Sequence, residues 1–361
     1  MSVTYSFEYP EDERIRVGFL GCGGHSFRNI YPALQYAPID LVAVCDIDGE
    51  RAEAYARQFG AREAFTDYER LLGECDLDAV FIVTGYDDEG RVTHTRNALP
   101  ALRSGRHVWM EKPPANSVAE IEELQVAERE TGRFVAVGLK KIFAPAIRNV
   151  REWSSGERFG GVSSIYASYP MRLPRDIAER SDPAKMRGFL DHIVHPGSAL
   201  RYLGGPMEAL SFRLDRLGGI AATIEFASGA LGLLHCPAAH PGTAPLERLE
   251  VAGEDETIVV DNAVDVTYYR RGSRGEGGYG RSESFIGPDE GAPLQWRPEF
   301  SLAQLYNKNI FYEGLVAEIL HFCECVTSGE TPSIAGSDYA RDLLALYEAF
   351  QSEEGVRVAL G

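Results

Sequence analysis

Residues 15–26, IRVGFLGCGGHS, decide the fold, because a short apolar run leads directly into a glycine-rich turn. Runs of this length and composition are typical of buried parallel strands. A Gly-x-Gly-x-x-small turn between a strand and a helix lets the backbone approach a pyrophosphate, whose charge the helix N-terminus stabilises. Taken alone, the pattern also suits an ordinary tight turn between a strand and a helix. The residues that follow the second strand distinguish such a turn from a pyrophosphate-binding loop.

The second apolar run ends on an acid. Residues 41–45, LVAVC, are followed by Asp46, and Asp46 lies 25 residues after Gly21. An acid roughly 20 residues beyond a glycine loop can accept hydrogen bonds from the adenosine ribose hydroxyls of a dinucleotide. The loop and Asp46 together therefore predict a dinucleotide site. A carboxylate here repels a 2′-phosphate and favours NAD over NADP. Arg51 nearby can pair with a 2′-phosphate, so NADP stays open as the less favoured cofactor.

Two patterns of secondary structure follow one another along the chain. Strand-like runs at 15–20, 41–45, 79–83, 107–110 and 134–137 alternate with predicted helices at 28–37, 49–59, 93–103 and 118–130. Alternating β and α units predict a doubly wound parallel sheet. After about residue 138, alternating strands joined by glycine-containing turns predict a C-terminal α/β domain with a largely antiparallel open sheet.

These patterns divide the chain into three parts. We expect an N-terminal extension at 1–13, a Rossmann dinucleotide-binding domain at 14–138 and a C-terminal domain at 139–361. Within the last part, the sequence predicts helices at 189–203, 312–327 and 337–351 and a surface loop at 270–291. Ser117, with Glu120 three residues on, predicts a capping box at the start of the helix near residue 118.

Charge and composition limit the kinds of partner. The chain has 36 basic and 54 acidic residues, a net charge of −18, which argues against nucleic acid or an anionic membrane surface as the main partner. The acidic, polar start does not resemble a secretory signal, and no apolar run approaches the roughly 18 residues of a spanning helix. The six cysteines form no Cys-x-x-Cys pattern, which favours buried, reduced thiols and a cytoplasmic protein.

Lys112 is the first candidate catalytic residue. The fifth predicted strand ends in Glu111-Lys112-Pro113, and ligands of open α/β sheets bind at the carboxyl ends of the strands. A lysine there can donate a hydrogen bond to a reacting alcohol and stabilise the developing alkoxide. The alternative is a solvated lysine before a proline turn. Only five of the 36 basic residues are lysines, which gives weak support to the catalytic interpretation.

Asp191 and His195 are the second candidate pair. They are four residues apart, so on a helix they lie on one face. An imidazole suits proton transfer near neutral pH, so we expect a titration of activity near neutrality. Helix-surface contact is the structural alternative for such a pair. Asp191, His192 and His195 lack clear further ligands nearby, so no metal site is predicted.

Together these motifs resemble the Gfo/Idh/MocA oxidoreductases, NAD(P)-dependent enzymes acting mainly on sugars and cyclitols. The resemblance runs from about residue 15 to the C-terminus. It rests on Gly21-x-Gly23-Gly24, Ala43-Val44-Cys45-Asp46, Gly105-Arg106-His107-Val108 leading into Glu111-Lys112-Pro113, Asp191-x-x-x-His195, Phe226-Ala227-Ser228-Gly229-Ala230 and Glu318-Ile319-Leu320-His321-Phe322.

The resemblance implies roles for particular residues. His195 would take the hydroxyl proton as hydride leaves the same carbon, Lys112 would polarise the oxygen, and Asp191 would position the substrate and the imidazole. Lys141 matches a basic position that often faces the substrate. A homodimer or homotetramer would form through the C-terminal sheet. The predicted cofactor-binding residues are Gly21, Gly23, Gly24, His25, Ser26, Asp46, Thr84 and Glu111.

The chain departs from the family pattern in three places. Many members follow the fourth strand with Thr-Pro-Asn and a histidine shortly after, and the resemblance assigns that histidine, here His94, to the substrate. In this chain an acidic insertion at 85–93 makes the segment between Thr84 and His94 about five residues longer. Ser198 stands where many members carry an aspartate, which leaves the polyol-binding pattern open. Residues 1–13 have no counterpart in the family.

Three functions remain open from the sequence. The first is an NAD-dependent dehydrogenase of a sugar, cyclitol or sugar derivative. The second, in the same fold, is a nucleotide-sugar dehydrogenase or a keto-sugar reductase. The third is a non-catalytic, dinucleotide-binding sensor, against which the joint presence of Lys112, Asp191 and His195 argues.

Overall fold

The computed structural model of the chain describes residue 6 and residues 8–271, 292–298 and 308–361. The surface loop predicted at 270–291 lies almost entirely outside these residues. Residues 1–5 and 7 of the predicted N-terminal extension lie outside them as well.

The first sheet is parallel and confirms the doubly wound fold. Its spatial order is β3-β2-β1-β4-β5-β6, and every neighbouring pair of strands is parallel. The order reverses between β1 and β4, and ligands of such sheets bind at this switch point. The strands are β1 Ile15–Leu20, β2 Ile39–Cys45, β3 Glu63–Phe65, β4 Ala79–Ile82, β5 His107–Glu111 and β6 Val135–Gly138.

The second sheet confirms the predicted open, largely antiparallel architecture. Its order is β14-β13-β12-β11-β7-β10-β9-β8-β15, and the pairing of β7 with β10 is parallel. The other pairings found among the described residues are antiparallel. The strands are β7 Ser164–Ser168, β8 Met207–Leu214, β9 Ile220–Phe226, β10 Leu231–Cys236, β11 Arg248–Ala252, β12 Thr257–Asp261, β13 Asp265–Tyr269, β14 Leu294–Trp296 and β15 Val358–Ala359.

Ten α-helices occur in the described part of the chain. They are α1 Tyr31–Leu34, α2 Gly49–Phe59, α3 Tyr68–Glu74, α4 His94–Arg103, α5 Val118–Thr131, α6 Pro145–Ser154, α7 Pro183–Gly204, α8 Lys308–Tyr312, α9 Leu315–Ser328 and α10 Ser337–Ala349. Within these residues, no helix is both long enough and apolar enough to cross a membrane. All six cysteines are buried and have free thiols.

Three predicted helices differ from the structure. The helix predicted at 28–37 ends at Leu34, after a wider π-helical turn at Ser26–Ile30. The helix predicted at 312–327 is divided into α8 and α9 by Gly314, whose φ is +92° and where a Cβ would overlap the carbonyl oxygen of Lys140. The helix predicted at 189–203 begins at Pro183, because the Asp182 side chain accepts a hydrogen bond from the backbone N–H of Ala184.

The cap predicted for α5 forms in part. Ser117 Oγ accepts the backbone N–H of Glu120 at 3.3 Å, as expected. The Glu120 carboxylate, however, accepts the backbone N–H of Asn116 at 3.0 Å and not that of Ser117. The reciprocal half of the capping box therefore fixes the residue before the cap.

Two helices bring the site together. Helix α7 contacts β7 and β10 of the second sheet and carries Asp191 and His195. Helix α9 packs against the first sheet, where the Phe322 ring meets the Phe81 ring edge-on at 5.4 Å. As a result, Asp191 of α7 lies opposite the carboxyl end of β5 in the first sheet.

Candidate active site

The glycine loop lies at the switch point of the first sheet. Gly21 follows β1 with φ +107°, and a Cβ there would overlap the carbonyl oxygen of Val83 at the end of β4. A Cβ on Gly23 would meet none of the described atoms within 4 Å, whereas one on Gly24 would lie 3.8 Å from the flexible Arg28 side chain. Gly21 is thus required by packing, and the backbone at Gly23 is open to a ligand.

Asp46 holds the glycine loop from the neighbouring strand. Its Oδ2 accepts the backbone N–H of Cys22 at 2.7 Å, and its Oδ1 accepts that of Asp48 at 3.0 Å. Arg51 Nη1 lies 3.7 Å from Oδ1. A carboxylate has about four acceptor positions, so two remain for hydroxyl donors. The open glycine backbone and this carboxylate fit a dinucleotide with a free ribose diol.

The other predicted cofactor residues lie around this loop. Ser26 Oγ donates to the Gly21 carbonyl at 2.8 Å, which closes the turn from inside. His25 Nε2 lies 2.9 Å from Glu111 Oε1, and the second oxygen of Glu111 accepts the backbone N–H of Lys112 at 3.0 Å. Glu111 therefore connects the glycine loop to the lysine at the end of β5.

Thr84 stands at the end of β4. Its hydroxyl lies 2.7 Å from that of Thr93, and Asn97 Nδ2 donates to it at 3.4 Å. The Thr84 side chain thus ties the strand end to the start of α4.

Lys112, directly after β5, and Asp191, on helix α7, form an ion pair. Lys112 Nζ lies 3.0 Å from Asp191 Oδ1, although the two residues are 79 positions apart in the sequence. The side chains are partly buried, with 18% and 34% exposure. The structure therefore brings together the two motifs that the sequence singles out separately.

His195 lies one helical turn beyond Asp191, and its ring faces Tyr169 with ring centroids 5.8 Å apart. Burial lowers the pKa of His195 well below its usual value, and the charges of Lys112, Lys141 and Lys140 lower it further. The imidazole is consequently neutral at neutral pH and can accept a proton.

Beside His195 opens a cleft of about 310 Å³. Lys141 lines it and is paired with Glu247, and Lys140 is paired with Glu313. Both pairs place a lysine ammonium and a carboxylate at the wall of the cleft. Polar, multiply hydroxylated molecules can use such donors and acceptors together.

The structure does not bring His94 into this cleft. The side chain is buried, with 2% exposure, and its Nδ1 lies 2.7 Å from the carbonyl oxygen of Pro113. The ring supports the turn that follows Lys112, so the geometry gives no support to the substrate contact expected from the sequence. In the described residues, no group of three His, Cys, Asp or Glu side chains could hold a metal ion.

Sequence reasoning missed several residues of the site. Tyr86 donates its hydroxyl hydrogen bond to Asp191 Oδ1 at 3.2 Å. Glu247 and Tyr169 line the cleft beside Lys141. Tyr86 lies in the insertion after Thr84, and Glu247 and Tyr169 come from distant segments; the sequence pattern links none of them to Asp191 or Lys141. Glu318, on α9, is fully buried, and burial together with the charge of Glu111 raises its carboxyl pKa well above the usual range.

Ser198 also has a defined place. It is buried on α7, and its hydroxyl donates to the carbonyl oxygen of His195 at 2.9 Å. The side chain at this position is buried and does not line the cleft. A serine here is therefore accommodated by a hydrogen bond within α7.

Two family models match the chain. The one described as "Oxidoreductase family, NAD-binding Rossmann fold" covers residues 15–139, and the "GFO/IDH/MocA C-terminal domain" covers residues 147–259. The two matches follow one another along the chain with a gap of a few residues.

Curated relatives and solved structures agree with these matches. The chain is 30% identical over 260 residues to dTDP-3,4-didehydro-2,6-dideoxy-alpha-D-glucose 3-reductase of Streptomyces violaceoruber, covering 69% of this chain and 73% of that protein. It is 26% identical to scyllo-inositol 2-dehydrogenase (NAD(+)) of Bacillus subtilis, covering 91% and 90%. A dehydrogenase structure from Chromobacterium violaceum superimposes with a TM-score of 0.77 at 23% identity, covering 94% of each chain.

Proposed function

Because this chain belongs to the GFO/IDH/MocA oxidoreductase family and has its NAD-binding Rossmann fold, we propose that it oxidises a hydroxyl group of an uncharged sugar or cyclitol with NAD. The observation that carries the proposal is the pairing of Lys112 with Asp191, one helical turn from a neutral His195. The bound nicotinamide would take up the hydride; the protein's own side chains handle the proton and the oxygen.

Each of the three side chains has a separate task in this proposal. His195 accepts the hydroxyl proton, because its lowered pKa keeps the imidazole neutral. Lys112 has three N–H donors and gives one to Asp191, so another can stabilise the developing alkoxide. Asp191 accepts a hydrogen bond from a second substrate hydroxyl.

Around the proposed cofactor, the open backbone at Gly23 and Gly24 leaves room for the pyrophosphate, Gly21 lets the turn pack against Val83, and Asp46 accepts the ribose hydroxyls. His25, Ser26, Thr84 and Glu111 keep the surrounding loops in place through the contacts given above. The Asp46 carboxylate supports NAD over NADP, because it would repel a 2′-phosphate.

The charges around the cleft support an uncharged substrate. Within the described residues, Lys112, Lys140 and Lys141 each have a carboxylate partner. A sugar acid, or the nucleoside diphosphate group of a nucleotide-sugar, would bring further negative charge beside these carboxylates. The similarity to a dTDP-sugar reductase favours a nucleotide-sugar or keto-sugar substrate as the second candidate.

A substrate panel tests the proposal. Monosaccharides, inositols, glycosides, sugar acids and a dTDP-sugar would be incubated with NAD, and separately the keto-sugars with NADH, while nicotinamide absorbance is followed. We expect turnover with a neutral polyol, and a loss of about 10²–10⁴ in kcat for Lys112→Ala with unchanged NADH binding. Turnover restricted to a dTDP-sugar would favour the second candidate. Tight NADH binding without any turnover would favour a sensor.

We also infer that copies of the chain associate through the exposed face of the second sheet. Leu231 and Leu233 on β10 are 53% and 46% exposed there, on alternate positions of one strand. Apolar side chains at neighbouring surface positions favour a protein interface. Light scattering on the purified protein would contradict this inference if it gave the mass of one chain.

A further inference from the structure

The acidic insertion after β4 forms a small hairpin beside the active site. Tyr86 and Val92 pair as an antiparallel bridge. Asp87 closes the turn between them: its backbone N–H donates to the Arg91 carbonyl at 2.9 Å, and its Oδ1 accepts the Arg91 backbone N–H at 2.8 Å. The insertion therefore has a defined shape, which the sequence does not predict.

The hairpin is fixed from the side of Lys112. The Asn116 side chain accepts the backbone N–H of Val92 at 2.7 Å and donates to the Val92 carbonyl at 2.9 Å. Asn116 is itself held by the Glu120 carboxylate at 3.0 Å. One side of the hairpin is thus bound to the segment that follows Lys112.

The hairpin is also fixed from the side of Asp191. Gly90, at its tip, has φ +79°, and a Cβ there would lie 2.8 Å from Cα of Ala184 in the first turn of α7. The backbone of the tip thus lies directly on the helix that carries Asp191 and His195. A side chain at position 90 would force the two apart.

Tyr86 points from this hairpin to the Lys112–Asp191 pair. Its hydroxyl donates to Asp191 Oδ1 at 3.2 Å, and the same oxygen accepts Lys112 Nζ at 3.0 Å. The guanidinium of Arg187 lies 5.4 Å from the centre of the Tyr86 ring. Burial and the neighbouring Asp191 charge raise the pKa of Tyr86, so its hydroxyl remains a donor.

The second oxygen of Asp191 has different surroundings. His192 Nδ1 lies 3.9 Å from it, beyond hydrogen-bond distance, and no described residue donates a hydrogen bond to it. One oxygen is therefore held by two donors, whereas the other can accept a hydroxyl from outside the protein.

We propose that Tyr86 is a positioning residue, which holds Asp191 Oδ1 together with Lys112 and so directs Asp191 Oδ2 toward a substrate hydroxyl. The proposal rests on the function proposed above and extends it to the insertion. The hairpin fixes the rotation of the carboxylate, and the carboxylate in turn selects substrates with a hydroxyl next to the reacting one.

A double-mutant cycle tests the proposal. Tyr86→Phe, Asp191→Asn and the double variant would be compared with the wild type on scyllo-inositol, D-glucose and any other neutral polyol that the panel identifies. We expect Tyr86→Phe to lower kcat/KM by about 10- to 100-fold, the effect of losing a hydrogen bond to a charged group. In the Asp191→Asn background the same change should alter kcat/KM by less than about 2-fold, since no carboxylate remains to be held.

Two controls separate positioning from a general loss of structure. Tyr269→Phe removes a hydroxyl from an exposed tyrosine of β13 and should leave kcat and KM unchanged. NADH binding should be the same in Tyr86→Phe as in the wild type, and circular dichroism should show the variant fully folded at the assay temperature. An unchanged kcat/KM in Tyr86→Phe, or an equal loss in both backgrounds, would overturn the proposal.

A measurement without turnover distinguishes this proposal from the proposed function. In protein with ¹³Cζ-labelled tyrosine, the resonance missing from Tyr86→Phe identifies Tyr86. At neutral pH, where the phenol stays protonated in both proteins, we expect its ¹³Cζ chemical shift to move in Asp191→Asn, because the hydroxyl then donates to an amide oxygen and not to a carboxylate. Identical chemical shifts would overturn the positioning role even if the wild type is active. If the wild type oxidises no member of the panel, the proposed function fails, and this comparison still decides whether Tyr86 holds Asp191.

Discussion

The dinucleotide end and the substrate end of the site are built from different kinds of contact. At the dinucleotide end, the Asp46 and Ser26 side chains bind backbone groups of the glycine loop, so the shape of the main chain forms most of the site. At the substrate end, the contacts are between side chains of opposite charge from distant segments, such as Lys112 with Asp191 and Lys141 with Glu247. A substitution at the dinucleotide end should alter the relative affinities for NADH and NADPH. A substitution at the substrate end should alter kcat or KM for the substrate.

The largest effect should come from His195→Asn. Loss of the proton acceptor should lower kcat by about 10²–10⁴, the usual contribution of a positioned acid–base group, while NADH binding is unchanged. His235→Asn, an exposed histidine of β10 that does not line the cleft, is the matched control and should stay near wild-type activity. A small loss in His195→Asn would show that another group accepts the proton.

The pH profile sharpens this prediction. Burial and the three neighbouring lysines lower the pKa of His195 well below the usual value of 6.5. Oxidation needs the neutral imidazole, so kcat/KM should be constant around neutrality and fall only as the pH drops through that lowered pKa. The structure thus moves the expected acid limb from near neutrality, where the sequence places it, to lower pH, because burial of the ring and the neighbouring lysines are visible only in the fold. The acid limb should be absent in His195→Asn.

Asp46→Ala tests the dinucleotide end. Removing the carboxylate should shift the ratio of the NADPH and NADH dissociation constants by about 10- to 100-fold toward NADPH, because a like-charge contact with the 2′-phosphate is lost. Arg51, 3.7 Å from Asp46, would then be free to meet that phosphate. Fluorescence titration with both reduced cofactors measures the ratio, and an unchanged ratio would place the carboxylate away from the ribose.

This change should also affect stability. The backbone N–H groups of Cys22 and Asp48 lose their acceptor in Asp46→Ala, at a cost of about 1–3 kcal/mol for buried donors. Asp46→Asn keeps an acceptor oxygen and should retain more of the melting temperature. The Asn variant therefore separates the effect of charge on cofactor choice from the effect of the loop's packing.

The difference between the two ends explains how far the sequence could be interpreted. Gly21 and Asp46 each directly follow a strand, so strand pattern and spacing place them correctly. Lys112 and Asp191 are recognisable as motifs, and the structure brings them to 3.0 Å. Tyr86 and Glu247 carry no local signal, because a tyrosine in a loop or a glutamate before a strand is common. Their partners depend on packing between segments over 100 residues apart. The roles assigned to these residues and the domain boundaries at 13/14 and 138/139 stay predictions.

The smallest effect should come from Lys141→Gln. Lys141 and Glu247 are largely buried, with 16% and 18% side-chain exposure, and both line the cleft beside His195. Glutamine keeps a donor but loses the charge, so KM for the neutral polyol should rise by about 10-fold, the loss of one charge-assisted hydrogen bond. Because Lys141 lies beside and not at the reacting carbon, kcat should change by less than about 3-fold.

Glu247→Gln is the matched change on the other side of this pair. It leaves Lys141 without its carboxylate, so the cleft gains positive charge and should accept sugar acids better than the wild type does. NADH binding should be the same in both variants, since neither residue contacts the glycine loop. If Lys141→Gln instead lowers kcat and leaves KM unchanged, Lys141 stabilises the transition state. Polarisation of the reacting oxygen would then not be confined to Lys112, and substrate binding would not be the sole role of Lys141.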